Sequence, residues 1–222
     1  MKILVIGDLA QQETCKSKLG ERHEVSGQTS HKGINGELAN YDMIVDFLLE
    51  RDPSQIEIYS GDSRPVLLIS SVLMSLHQLV TYSSKPVKNL LIGFNGLPSF
   101  FERERWEITA LDAEKVTQFL KSLSLDFSLC DDRVGMVTPR VVCMIINEAY
   151  YTLHEGTANR EDIDMAMKLG TNYPFGPFEW CDRIGIQNVY GVLSAVYEDT
   201  KDERYKICPL LKREYLRSIT QP

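Results

Sequence analysis

The chemistry this chain could perform turns first on its opening strand and turn. The apolar run Ile3 to Ile6 ends in Gly7-Asp8-Leu9-Ala10-Gln11-Gln12. A strand that turns into a helix through G-x-G-x-x-G cradles a pyrophosphate: the first glycine makes the turn, the second admits the phosphates, and the third lets helix pack on strand. Here Gly7 alone matches. Leu9 puts a branched side chain where the pyrophosphate would approach, and Asp8 adds a negative charge at a helix start suited to an anion. An acid about twenty residues further on would hold a ribose hydroxyl, but the segment His23-Glu24-Val25-Ser26-Gly27-Gln28 ends without one. Gly7 is thus the one candidate cofactor residue, and a plain strand-to-helix turn is the favoured account of it. No cofactor is expected; NAD enters only if the chain is catalytically active.

The elements that must position any site alternate between strand and helix in the first half. A helix is expected from Gln11 to Leu19 and a weak strand at His23 to Gly27. The runs 41–49 (YDMIVDFLL) and 65–70 (PVLLIS) are almost continuously apolar, as central strands of a parallel sheet covered on both faces should be. Between Gln28 and Asn40, Ser, Thr, Asn and the glycines Gly33 and Gly36 mark a loop. Further strands are expected at Asn89 to Gly93 and Arg105 to Thr109, and Asp112 is placed to cap a helix over Ala113 to Leu123. Residues 1–134 therefore read as a truncated, Rossmann-like α/β domain with a mostly parallel sheet. From Gly135 to Pro222 no strand pattern occurs, and the domain reads as all-α. Thr138 is the expected N-cap of its first helix, with Pro139 at the next position. Apolar stripes run through Val142, Ile145, Ile146, Ala149, Tyr150 and Leu153, and through Val189, Val192, Leu193, Val196 and Tyr197. By themselves these stripes favour an internal core.

Composition narrows the classes. A net charge of −7 argues against binding a phosphate backbone, so no nucleic-acid partner is expected. No apolar run is long enough for a membrane span. The start, MKILVIGD, reads as a strand rather than a secretory signal. Cys15, Cys130, Cys143, Cys181 and Cys208 are odd in number and widely spaced, which reads as thiols in a reducing, cytoplasmic setting with no metal site.

The most specific stretch is 169–185, LGTNYPFGPFEWCDRIG, preceded by Asn147-Glu148-Ala149 and by HEGTANREDID from His154 to Asp164. Pro174 breaks one helix and Pro177 can open the next. These motifs, in this order across about Gly135 to Leu211, resemble the C-terminal domain of the 3-hydroxyacyl-CoA dehydrogenases. The resemblance implies helices that pair two subunits and contact an acyl chain. It also implies an NAD-binding first domain with a His–Glu pair, and Ser and Asn on the substrate oxygen. Carried over by position, Ser70 matches the serine and Glu107 the glutamate, whereas Ile92 stands at the histidine and Pro139 at the asparagine. Isoleucine takes no proton and proline offers no side-chain donor. Of His23, His31, His77 and His154, only His77, seven residues beyond Ser70, is a candidate for a relocated base. Relative to the family pattern, the first domain is shorter and a glycine-rich C-terminal tail is missing.

The expectation is a dimeric family member without standard hydride transfer. It would bind an acyl-CoA-like ligand, or pair as a partner subunit with an active homologue. The alternative is an active NAD-dependent 3-hydroxyacyl-CoA (3-hydroxybutyryl-CoA) dehydrogenase of fatty acid metabolism with a non-standard site.

Overall fold

The computed structural model describes residues 1–34, 38–61 and 64–220. Gly36 of the expected loop lies outside them. The chain divides into two compact units, Met1–Gly96 with Phe100–Met136, and Leu97–Ser99 with Val137–Pro222.

The first unit is a Rossmann-like sheet of seven strands. They are β1 (Lys2–Ile6), β2 (Glu24–Gln28), β3 (Met43–Asp46), β4 (Val66–Ser70), β5 (Leu91–Phe94), β6 (Arg105–Ala110) and β7 (Asp126–Cys130), in the order β2-β1-β3-β4-β5-β6-β7. All neighbours run parallel except β5 and β6. Alternate side chains of the central strands feed two cores. Ile3, Val5, Met43, Val45, Leu68 and Ile92 enter one, and Leu4, Ile6, Ile44, Leu67 and Ile69 the other. That is the period-two signature of a sheet covered on both faces. Helices α1 (Leu9–Leu19), α2 (Leu76–Val80) and α3 (Ala113–Ser122) belong to this unit. Asp112 caps α3 as expected, accepting the Lys115 amide at 3.1 Å.

Three local readings change. The apolar run 41–49 is strand only to Asp46, whose carboxylate takes the amides of Leu48 at 2.9 Å and Leu49 at 3.0 Å and turns the chain out of the sheet. β7 carries no apolar run because it is a half-exposed edge strand, and it went unread. The third concerns the next helix: Thr138 is not its N-cap. Val137 is, and Thr138 and Pro139 are the first helical residues, where a missing proline N–H has no helical partner to lose.

The second unit consists of α4 (Thr138–His154), α5 (Arg160–Thr171), α6 (Pro177–Ile184), α7 (Ile186–Thr200) and α8 (Pro209–Thr220). Val189, Val192, Leu193 and Val196 of α7 and Cys143, Ile146, Ala149 and Tyr150 of α4 are buried within the chain. Asn147, also buried, accepts the Cys208 amide at 2.9 Å and donates to the Lys206 carbonyl at 3.0 Å, fixing α4 to the segment that enters α8.

The peculiar motif in 169–185 is a helix-start device. Asp164 of α5 accepts the amides of Phe178 at 2.8 Å and Glu179 at 3.2 Å, filling the orphan donors at the start of α6. Gly176 is needed because a Cβ there would lie 2.3 Å from the Asp164 carboxyl carbon. Glu179 closes the arrangement by accepting the Gly176 amide at 3.0 Å. Among the described residues, no helix is long and apolar enough to cross a membrane, and no His, Cys, Asp and Glu cluster of metal-binding size occurs.

Candidate functional site

In the first unit the chain leaves β1 for β2 on one side and returns to β3 on the other. The carboxyl ends of strands at such a reversal are where open α/β sheets bind ligands. Three candidate positions lie along this edge. Gly7 follows β1, Ser70 ends β4, and Glu107 lies on antiparallel β6, its backbone carbonyl accepting the Asn95 amide just beyond β5. Ile92, two residues inside β5, is wholly buried in the core with Phe94, Trp106 and Ile108. Pro139 belongs to α4 of the other unit.

The turn after β1 is closed by its own side chains. Asp8 caps α1, accepting the Gln11 amide at 2.8 Å, while the Gln11 side chain accepts the Asp8 amide at 2.9 Å. Gln12 donates to the Gly7 carbonyl at 2.8 Å and lies where a Cβ on Gly27 would come within 2.0 Å of its oxygen. Leu9 projects into solvent, 74% exposed. Phe47, just beyond β3, sits between Gly7 and Gly96: a Cβ on either glycine would approach its ring to 3.1 Å. Gly7 is therefore explained by its contact with Gln11 and Phe47. A pyrophosphate does not fit this turn. Its place at the helix start holds a carboxylate, and a phenyl ring fills the reversal beside it.

Ser70 and Glu107 have partners the sequence did not suggest. Ser70 donates to Glu50 at 2.6 Å, and the other Glu50 oxygen accepts the Leu73 amide at 2.8 Å. Burial raises the Glu50 carboxyl above its ordinary value, opposed by these hydrogen bonds. Glu107, whose partner in the resemblance would be an imidazole, instead accepts from the Asn95 side-chain amide at 3.4 Å. His77 instead pairs with Asp132 at 2.8 Å at the start of α2, with its side chain 76% exposed. There Asp132 also accepts the Leu76 and His77 amides.

A second group at the same edge also escaped notice. His31, Tyr59 and Asp46 meet at the end of β3, with Nε2 of His31 2.7 Å and the Tyr59 hydroxyl 2.8 Å from Oδ2 of Asp46. The signal for it was an acid closing the otherwise apolar strand Met43-Ile44-Val45, because a buried charge needs donors from elsewhere in the chain.

The helical unit offers an apolar surface. A groove of about 360 Å³ between α4, α5 and α6 is lined by Ile145, Ala149, Ile163, Ala166, Met167 and Pro177. Exposed Val141 on α4, with Val137 at its N-cap, and Met165 and Leu169 on α5 belong to the same two helices as its lining.

Residues 135–217 match the family described as 3-hydroxyacyl-CoA dehydrogenase, C-terminal domain. A 3-hydroxybutyryl-CoA dehydrogenase of Bradyrhizobium diazoefficiens is 29% identical over 184 residues, 79% of this chain and 63% of the relative. A probable 3-hydroxybutyryl-CoA dehydrogenase of Bacillus subtilis is 34% identical over 60% of this chain and 43% of the relative. The chain thus spans less than two thirds of either relative's length. Among solved structures, the (S)-3-hydroxybutyryl-CoA dehydrogenase of Ralstonia eutropha superposes with a TM-score of 0.72 at 20% identity, covering 98% of this chain and 94% of that one. This is a likeness of fold.

Proposed function

We propose that this chain, whose residues 135–217 match the C-terminal domain of the 3-hydroxyacyl-CoA dehydrogenases, is a dimeric, cytoplasmic member of that family that binds an acyl-CoA-type ligand without carrying out standard hydride transfer. One observation carries this reading. The turn that should receive a dinucleotide is occupied by the Asp8–Gln11 capping pair and the Phe47 ring. The protein's own carboxylate takes the place of the anion at the helix start. Burial of Ile92 supports the same reading, since no proton acceptor stands at that position of the resemblance. The apolar groove and exposed stripe of α4 and α5 supply the self-association surface, and pairing with an active homologue would use the same face.

Ser70 and Glu107 favour a second reading, an active NAD-dependent dehydrogenase, because they share one sheet edge. Fluorescence titration with NADH, alongside calorimetry with butyryl-CoA and an acetoacetyl-CoA reduction assay, separates the two. Acyl-CoA binding without NADH saturation or turnover is expected. NADH binding in the low micromolar range with robust reduction would overturn the proposal.

A further inference from the structure

Asp46 is 1% exposed, and each of its oxygens is committed. Oδ1 accepts the Leu48 and Leu49 amides, and Oδ2 accepts the Tyr59 hydroxyl and faces Nε2 of His31 at 2.7 Å. Tyr59 remains a donor: burial first, and then the Asp46 charge, raise its pKa well above the ordinary phenol value. Asp46 is therefore an acceptor on every side, so a neutral His31 ring carries its proton on Nε2 and its lone pair on Nδ1. A carboxylate that fixes the tautomer and orientation of an imidazole in this way is the usual support of a general base. The His31 side chain is itself 8% exposed, so the ring is held rather than free in solvent.

The position matters as much as the pair. Asp46 lies opposite Ile6 of β1 and Ile69 of β4, so the residues that follow in those strands, Gly7 and Ser70, flank it at the reversal. Asp8 adds an acid to the same edge, which disfavours a phosphate there and suits an uncharged reacting group. None of the family positions carried over to this chain falls on His31, Asp46 or Tyr59.

We propose that His31, oriented by Asp46, is a general base that takes a proton from the C2 carbon of a 3-ketoacyl thioester. The proposal rests on the acyl-CoA reading above. In the step, the C2–H bond breaks and its proton goes to Nδ1. The electron pair forms the C2–C3 double bond as the 3-carbonyl oxygen takes the negative charge; the Nδ1 proton exchanges with solvent, and the imidazolium then returns a solvent-derived proton to C2, which regenerates the neutral ring. The exchange is redox-neutral and needs no second substrate.

The test is solvent deuterium exchange at C2 of acetoacetyl-CoA, followed by mass spectrometry with the full chain against buffer alone. His31→Gln keeps a side-chain amide donor for Asp46 but removes the base, so it should melt like wild type and lose the enzymatic exchange by about 100-fold or more. Asp46→Asn should lower it as well by releasing the tautomer. Imidazole nitrogen NMR gives a readout independent of ligand, with Nδ1 unprotonated in the wild type and the preference lost in Asp46→Asn. Wild-type exchange no faster than buffer would overturn the proposal, as would full exchange in a folded His31→Gln. Butyryl-CoA, whose C2 lacks the flanking 3-carbonyl and is far less acidic, is titrated in parallel. Binding without exchange sinks the His31 assignment alone, and absence of both sinks the acyl-CoA reading as well.

Discussion

Glu50 shows how one buried carboxyl can report on this edge. Burial raises its pKa above the 4.5 of a free glutamate, so the folded chain holds that proton more tightly than the unfolded chain. Stability must then fall as pH rises from about 4.5 through the raised value, the opposite of an acid stabilised as its anion. Glu50→Gln does not titrate. Urea denaturation at successive pH values should therefore show the wild type losing stability relative to Glu50→Gln as pH rises toward neutrality. A parallel pair of profiles would contradict the assignment. The turn after β1 makes a second residue-scale prediction. Restoring glycine at Leu9 and Gln12 should not by itself produce tight NADH binding, because Asp8 still caps α1 and Phe47 still fills the reversal. Micromolar NADH affinity in that double variant, read by fluorescence, would show that the glycines alone had been limiting.

At the scale of the element, the start of α6 depends on Asp164 and Gly176 together. Asp164→Ala leaves the buried Phe178 amide without its acceptor, a loss of about 1–3 kcal/mol. Gly176→Ala forces a methyl against the same carboxylate. Both changes act through one contact, so the double variant should cost less than the sum of the singles in chemical denaturation, and strict additivity would refute the coupling. This device was legible in the sequence as a motif but not as a mechanism. Pro174, Gly176 and Pro177 announce a break and a restart, while the residue that makes the restart work lies one helix earlier. The Thr138–Pro139 pair taught the converse. Its types suit a cap, yet the chain enters the helix one residue sooner, at Val137.

For the whole molecule, the proposed dimer would set one face of α4 against a second chain. Ile145 lines the surface groove, whereas its neighbour Ile146 is fully buried. Ile145→Asp should leave the fold intact and dissociate a homodimer, because a carboxylate desolvated and unpaired in a seam is costly. Ile146→Asp should instead destabilise the chain itself by several kcal/mol. Light scattering together with thermal melting distinguishes the two. A wild-type monomer at micromolar concentration would remove the homodimer and leave pairing with a different chain.

By itself the sequence determined the class of each half and the family of the second. Apolar runs such as Val66–Ser70 and helical stripes such as Val189 to Val196 reflect burial, and burial is written locally as a repeat of two or of three to four residues. It also put Leu9 and Gln12 where a dinucleotide motif has glycines and Ile92 where the resemblance has a base, because those are residue-type facts. Only the tertiary structure decided what replaced them. Ser70 meets Glu50, Glu107 meets Asn95, and His31 and Tyr59 each meet Asp46, across gaps of 12 to 20 residues. No periodicity encodes such pairs. They exist because the parallel crossovers bring the ends of separate strands to one edge, where a buried charge must find its donors from whatever part of the chain arrives there.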